Sequence, residues 1–182
     1  MKAILTSIQS PHTCNILNLI KLLEIRKKFP KDYVGWVYIY CTKSGGMAYK
    51  GEDNKYHVEK IKNYFPHYCI NGKVVARFWC DKVEQVFWRN PRDDEHIPYL
   101  KSCDLLKCAC LCQDEFEEYV GDNESYAIHI TKLEVFDKPK DIEDFSVVDH
   151  EVVGVDILGE KTSFKILRPL TRAPQSWCYV EI

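Results

Sequence analysis

The sequence predicts a mixed α+β domain: a small, barrel-like sheet of about six strands with two or three peripheral helices. Three observations lead there. Short runs rich in β-branched and aromatic residues recur, as in Tyr33–Cys41 and Lys73–Cys80. Long gaps separate these runs, and strand–helix alternation is missing from the middle of the chain, which excludes a doubly wound sheet. The 182 residues, 46% hydrophobic and 13% aromatic, suffice for one real core.

Lys2–Ile8 reads as the first strand. Ser10 as N-cap and Pro11 at the first helical position then start a short helix running to about Leu19. Cys14, Leu17 and Ile20 recur on one side of it, with His12, Asn15 and Asn18 on the other. Leu22–Lys27 follows as a strand. Alternate side chains of a strand share a face, so Glu24 and Arg26 point one way while Leu23 and Ile25 point into a core. Tyr33–Cys41 is apolar on both faces, as a central strand is. Ser44–Asn71 carries Gly-Gly, a charged run and a short helical piece near Lys55–Tyr64, and ends in an Asn71–Gly72 turn.

Lys73–Cys80 alternates cleanly, and Val83–Trp88 continues it or pairs with it. Arg89–Ser102, with two prolines and mixed charge, reads as a loop. Asp104–Val120 reads as one helix capped near Gly121. Ser125–Phe136 is a further strand, Asp137–Phe145 a turn with one helical turn, and Val147–Leu158 a weak, glycine-punctuated strand. The sequence RPLTRAPQSW forms a proline-stiffened arm into a last strand at Ser176–Ile182.

Lys and Arg number 25 against 27 acidic residues, a net charge of −2. That excludes a protein coating nucleic acid by bulk charge and leaves room for a local basic patch. Nine cysteines include no CxxC pair, and most sit inside apolar runs where a thiol acts as a small hydrophobe. Cys103, Cys108, Cys110 and Cys112 would bind zinc together only if their helix unravelled, so packing is the preferred reading. There is no signal-peptide core at the N-terminus and no apolar run of membrane-spanning length. The expectation is a soluble, cytoplasmic protein with free thiols, without metal, cofactor or membrane partner.

Residues 7–28, SIQSPHTCNILNLIKLLEIRKK, resemble the opening of ASCH-domain proteins, the activating-signal-cointegrator homology group of the PUA-like superfamily. Their signature, roughly Gly-x-Lys-x-x-Glu-x-Arg, is matched by Lys21, Glu24 and Arg26, with Leu19 standing where the family usually has glycine. GWVYIYCTK, GKVVARFWCDKV and YAIHITKLEVFDKPKDIEDF resemble later strands of the family, and RAPQSWCYVE its ending. The resemblance implies one domain over residues 1–182, with insertions at 44–71 and 89–121. It also implies a PUA-like β-barrel with a cleft beside the motif and a role with RNA or modified nucleosides. One bacterial branch hydrolyses N4-acetylcytidine with a lysine, a threonine and a glutamate. Lys21 matches that lysine, but Glu24 stands at the threonine position, so this activity is not inherited.

On that footing Lys21, Glu24 and Arg26 are expected to form a charged cleft floor, where a guanidinium fork grips a phosphate or carboxylate. The bland alternative is an exposed strand-edge ion pair of about 0–1 kcal/mol. Gln9, Arg172 and Trp177 complete the expected ligand contacts. In the basic cluster Lys21, Arg26, Lys27, Lys28 and Lys31, the neighbouring Trp36, Tyr38 and Tyr40 are expected to be core rather than stacking platforms. Three functions stand open: an RNA- or nucleotide-binding module; a hydrolase with Lys21 and Glu24 catalytic and Glu24 as general base; and a protein-interaction domain.

Overall fold

The computed structural model describes residues 2–60, 68–89, 97–155 and 161–181. In chain order it runs β1 (Lys2–Ile8), α1 (Ser10–Leu17), β2 (Leu23–Arg26), β3 (Gly35–Cys41), β4 (Met47–Lys50) and β5 (Tyr56–Glu59). There follow β6 (Lys73–Cys80), β7 (Val83–Gln85), β8 (Phe87–Arg89), β9 (Ile97–Tyr99), α2 (Leu105–Ala109) and α3 (Gln113–Val120). Last come β10 (Tyr126–His129), β11 (Thr131–Lys140), a 3-10 turn at Ile142–Asp144, β12 (Ser146–Val155), β13 (Lys161–Pro169) and β14 (Trp177–Glu181).

Seven strands make the main sheet, in the order β11-β6-β3-β1-β14-β12-β13, and β2-β10-β7 make a second sheet. β1 and β3 are parallel, joined by a crossover that includes α1, while β1 and β14 are antiparallel, with Lys2 opposite Glu181. Ile4, Ile8, Val37, Ile39 and Phe78 of the main sheet pack with Tyr126 and Ile128 of β10, so the two sheets share a core. Leu23, Ile25 and Ala127 face the other way, onto Leu105, Phe116 and Val120 of the helices. The far face of the main sheet carries Ala3, Leu5, Tyr38 and Val74 under Ile142, Phe145 and Leu170.

The α+β class is therefore as expected, with more strands than the six expected. Strand pairing among the described residues closes no barrel: the main sheet ends at β11 and β13, the smaller at β2 and β7. The helix N-cap is Gln9 rather than Ser10, because Ser10 turns its hydroxyl to Ser44 O (2.7 Å) and Gly46 O (2.8 Å). The expected helix near Lys55–Tyr64 is strand β5 at its start, paired with β4, and 61–64 lie outside the described residues. Arg89–Ser102 contains β9, paired with β8. Val83–Gln85 pairs with β10, not with β6.

The single helix expected over Asp104–Val120 is two, because Cys110 adopts a left-handed backbone (φ 52°) that stops α2. The strand expected over Ser125–Phe136 divides at Ile130, its halves joining different sheets. The β12–β13 hairpin went unread on its second side: β13 exposes Phe164, Ile166 and Leu167, so no inward alternation marks it. Among the described residues no helix is long and apolar enough to cross a membrane.

Candidate functional site

The segment from α1 to β2 is shaped by its turn. Asn18 caps α1, Leu19 N–H donates to Ile16 O (2.9 Å) and Ile20 N–H to Asn15 O (2.8 Å), the bond pair of a Schellman motif. Leu19 sits at its left-handed position (φ 59°), where glycine is the favoured residue, and is 67% exposed. Leu19→Gly is therefore expected to preserve or raise stability, by up to about 1.5 kcal/mol. It relieves a left-handed cost of about 1–2 kcal/mol while adding about 0.5–1 kcal/mol of chain entropy. Urea denaturation of the two proteins reads the difference.

Beyond the turn, Lys21 is 2%, Glu24 6% and Arg26 7% exposed, so the triad, although β2 is an edge strand, is buried and not an exposed surface ion pair. Arg26 Nη2 lies 2.8 Å from Glu24 Oε1, and Lys21 Nζ 3.6 Å from Glu24 Oε2. Each cation also reaches a different element. Lys21 Nζ donates to Ala109 O (2.6 Å) at the C-terminus of α2, satisfying a helix-end carbonyl that has no intrahelical partner. Arg26 Nη2 donates to Ser7 O (2.7 Å) at the end of β1, and Nη1 to Ser176 Oγ (3.4 Å). Arg26 Nε is buried without a partner among the described residues.

This triad floors a cleft of about 730 Å³. Gln9, Thr42 and Ser44 stand on one wall, Glu115, Glu118 and Tyr119 of α3 on another, with Gln175 and Ser176 of the arm between. Asn71 braces the first wall, its Nδ2 donating to Thr42 O (2.8 Å) and Gly46 O (3.0 Å). Charge in the cleft is balanced: Lys21, Arg26 and Lys27 face Glu24, Glu115 and Glu118. Hydrogen bonds from Cys112 hold the Glu115 carboxyl below its ordinary pKa, so it is ionised near neutral pH.

His12 also lines the cleft, its Nδ1 buried and unpartnered among the described residues. Burial, and then the Lys21 cation, lower its pKa below the ordinary 6.5, with Glu24 and Glu115 opposing. The folded protein thus prefers neutral His12, and the unfolded chain takes up the proton first. Stability is full above pH 6.5 and falls as the pH drops below it, toward the depressed folded value. His12→Gln is expected to flatten that part of the stability–pH curve, measured by urea midpoints between pH 5 and 7.

Of the six expected contact residues, Lys21, Glu24, Arg26 and Gln9 meet in the cleft. Arg172 lies outside it, in an adjoining groove of about 650 Å³ with Arg168, Leu170 and Cys178. Trp177 lies on the other side. Its Nε1–H donates to Lys28 O (2.7 Å) and its ring packs 5.6 Å from Phe29, which fixes the start of β14. Tyr38 is buried, while Trp36 and Tyr40 pack on the far-face core, away from the cleft. Cys103 and Cys108 pack against the helix core, and no described group of three His, Cys, Asp or Glu is placed to hold a metal.

Sequence reasoning missed His12, Glu115, Glu118, Tyr119 and Ser44. A signal existed for α3: Glu115, Glu118 and Tyr119 recur at i, i+3 and i+4, opposite the apolar Phe116 and Val120.

No protein-family model matches the chain, and no curated protein matches it. Among solved structures the chain is similar to the crystal structure of a tyrosine-to-phenylalanine mutant of ZmASCH from Zymomonas mobilis. That likeness has a TM-score of 0.46 and 12% identity, over 76% of this chain and 75% of that one. At that level it bears on neither the fold nor the activity.

Proposed function

We propose that the cleft binds one nucleotide of RNA, plain or modified, and that residues 1–182 form a single ASCH-type binding module of the PUA-like superfamily. The insertions expected of that group, at 44–71 and 89–121, belong to the same proposal. The observation that carries the reading is the buried Lys21–Glu24–Arg26 triad flooring an open cleft. Burying three charges is costly, and a guanidinium N–H left without an acceptor adds about 1–3 kcal/mol. The reading takes that cost as borne to orient a ligand. The volume falls within the roughly 300–1,000 Å³ of small-molecule sites. Gln9 and Gln175 each present a donor and an acceptor, the pairing needed to read a base edge, and Tyr119, 40% exposed, offers a stacking face.

The hydrolase reading has less support. Each Glu24 oxygen already faces a cation, so the carboxylate takes a proton from water only if Lys21 or Arg26 lets go. Nuclear magnetic resonance titration with the four nucleosides, N4-acetylcytidine and short oligoribonucleotides tests the binding reading. Amide shifts are expected at Gln9, Ser44 and Tyr119. Gln9→Ala, at an exposed position, is expected to weaken binding about tenfold, one hydrogen bond's worth. If no probe moves those amides, the reading is wrong.

A further inference from the structure

We propose that Cys103 and Cys108 form a reversible disulfide site, a dithiol that hydrogen peroxide oxidises and whose closure is felt through α2 at the cleft floor. The inference stands apart from the nucleotide-binding reading: it concerns what holds Lys21 in place, not what the cleft holds.

The two residues flank the start of α2. Asp104 is the N-cap, its side chain accepting from Lys107 N–H (3.2 Å), so Cys103 stands just before the cap and Cys108 at the fourth helical position. Those two positions face each other across a helix start, where an apolar pair commonly packs and fixes the angle at which the chain enters. In α2 both members of the pair are thiols. They pack against the cluster of Leu105, Ala109 and Phe116, and the two side chains are in hydrogen-bonding contact. The helix start thus holds two sulfurs together, as a disulfide with little backbone movement requires.

The other thiols are placed differently. Cys14, Cys41 and Cys80 are buried, and burial pushes them up to about 12, 12 and 11, so they stay protonated and inert. Cys110 is the left-handed residue that ends α2, and Cys112 is the N-cap of α3, both past the paired positions. Cys103 and Cys108 are half-buried, within reach of a small oxidant from solvent. Burial, and then contact with Cys103, raise the pKa of the Cys108 thiol, which leaves Cys103 as the sulfur that attacks first. Its thiolate takes one oxygen of hydrogen peroxide. The O–O bond breaks, one water leaves, and a sulfenic acid forms. The Cys108 sulfur gives up its proton and displaces hydroxide from Cys103, and the two depart as a second water. Two thiols have then lost two electrons, and the peroxide has been reduced to two waters. A small dithiol reverses the step by exchange, ending as its own disulfide.

α2 links this pair to the cleft. Cys108 O accepts from Leu22 N–H (2.8 Å), and Ala109 O accepts from Lys21 Nζ (2.6 Å). Cys108 therefore acts at both ends, its sulfur at the helix start and its carbonyl on the segment before β2. A bond formed at that sulfur turns the Cys108 side chain, and a helix of five residues has little length in which to absorb the change.

The test treats the reduced full chain with a few equivalents of hydrogen peroxide, then alkylates and digests it with trypsin. Cleavage after Lys101 and Lys107 puts Cys103 in residues 102–107 and Cys108 in residues 108–132. The two peptides are expected as one linked species, which fragmentation places at Cys108 and which dithiothreitol separates. Cys103→Ser and Cys108→Ser are each expected to abolish it. In nuclear magnetic resonance spectra of the whole protein the Leu22 amide is expected to shift on oxidation and to return on reduction. Peroxide that leaves both thiols open to alkylation, or that joins Cys103 to Cys110 or Cys112 instead, overturns the site. A Cys103–Cys108 bond that leaves the Leu22 amide unmoved overturns the link to the floor.

Discussion

Glu24→Ala is expected to lower stability by about 3–5 kcal/mol, because it strands two buried cations at once. Lys21 and Arg26 are each almost fully buried, and each ends on a backbone carbonyl that does not neutralise it. The control is the simultaneous replacement of Lys21, Glu24 and Arg26 by methionine. Exchanging a whole buried ionic set for apolar side chains is often neutral or stabilising, so this variant should lose less than the single one. Urea denaturation measures both. If the triple variant is as stable as the wild type yet binds no nucleotide, the triad is there for the ligand. If the single alanine variant costs under 1 kcal/mol, the triad is not the buried network described.

Phe116→Ala should cost a similar amount, about 3–5 kcal/mol, for a different reason. Phe116 is fully buried, its ring 5.7 Å from that of Trp88 and in one cluster with Leu23 and Ile25. It anchors α3, which at eight residues is too short to persist alone and depends on packing. Because α3 carries Glu115, Glu118 and Tyr119, loosening it opens a wall of the cleft. Thermal denaturation should show the loss, and amide exchange should quicken first in Gln113–Val120. Exchange unchanged in α3 would mean that the helix is held by something other than Phe116.

The floor of the site was legible where chemistry alternates plainly along the chain. In Leu23–Arg26 two apolar residues interleave with two charged ones, and the pattern fixes which pair faces the helices and which the inter-sheet space. The turn before it was placed, between a helix ending near Leu19 and a strand from Leu22, but its left-handed geometry was not legible, since a leucine at that position gives no glycine signal. Cys110 hid the break between α2 and α3 in the same way. The walls were illegible for a further reason: Ser44, Glu115 and Gln175 come from three distant parts of the chain, and only the tertiary packing brings them together. Arg172 and Trp177, only five residues apart in one arm, were both read as ligand contacts but line different grooves, because Trp177 is pinned to Lys28.

One topological detail bears on how quickly this protein reaches its native state. β14 lies between β1 and β12 in the main sheet and meets β1 with Ala3 opposite Val180 and Thr6 opposite Trp177. Nearly the whole chain must loop back before that pair forms, and the entropy of so long a closure is lost before any contact rewards it. Arg26 depends on the same step, for its partners Ser7 and Ser176 become neighbours only when β14 docks. The cleft is thus among the last features to form, and a chain stalled short of that step would carry an unsealed sheet edge at β1.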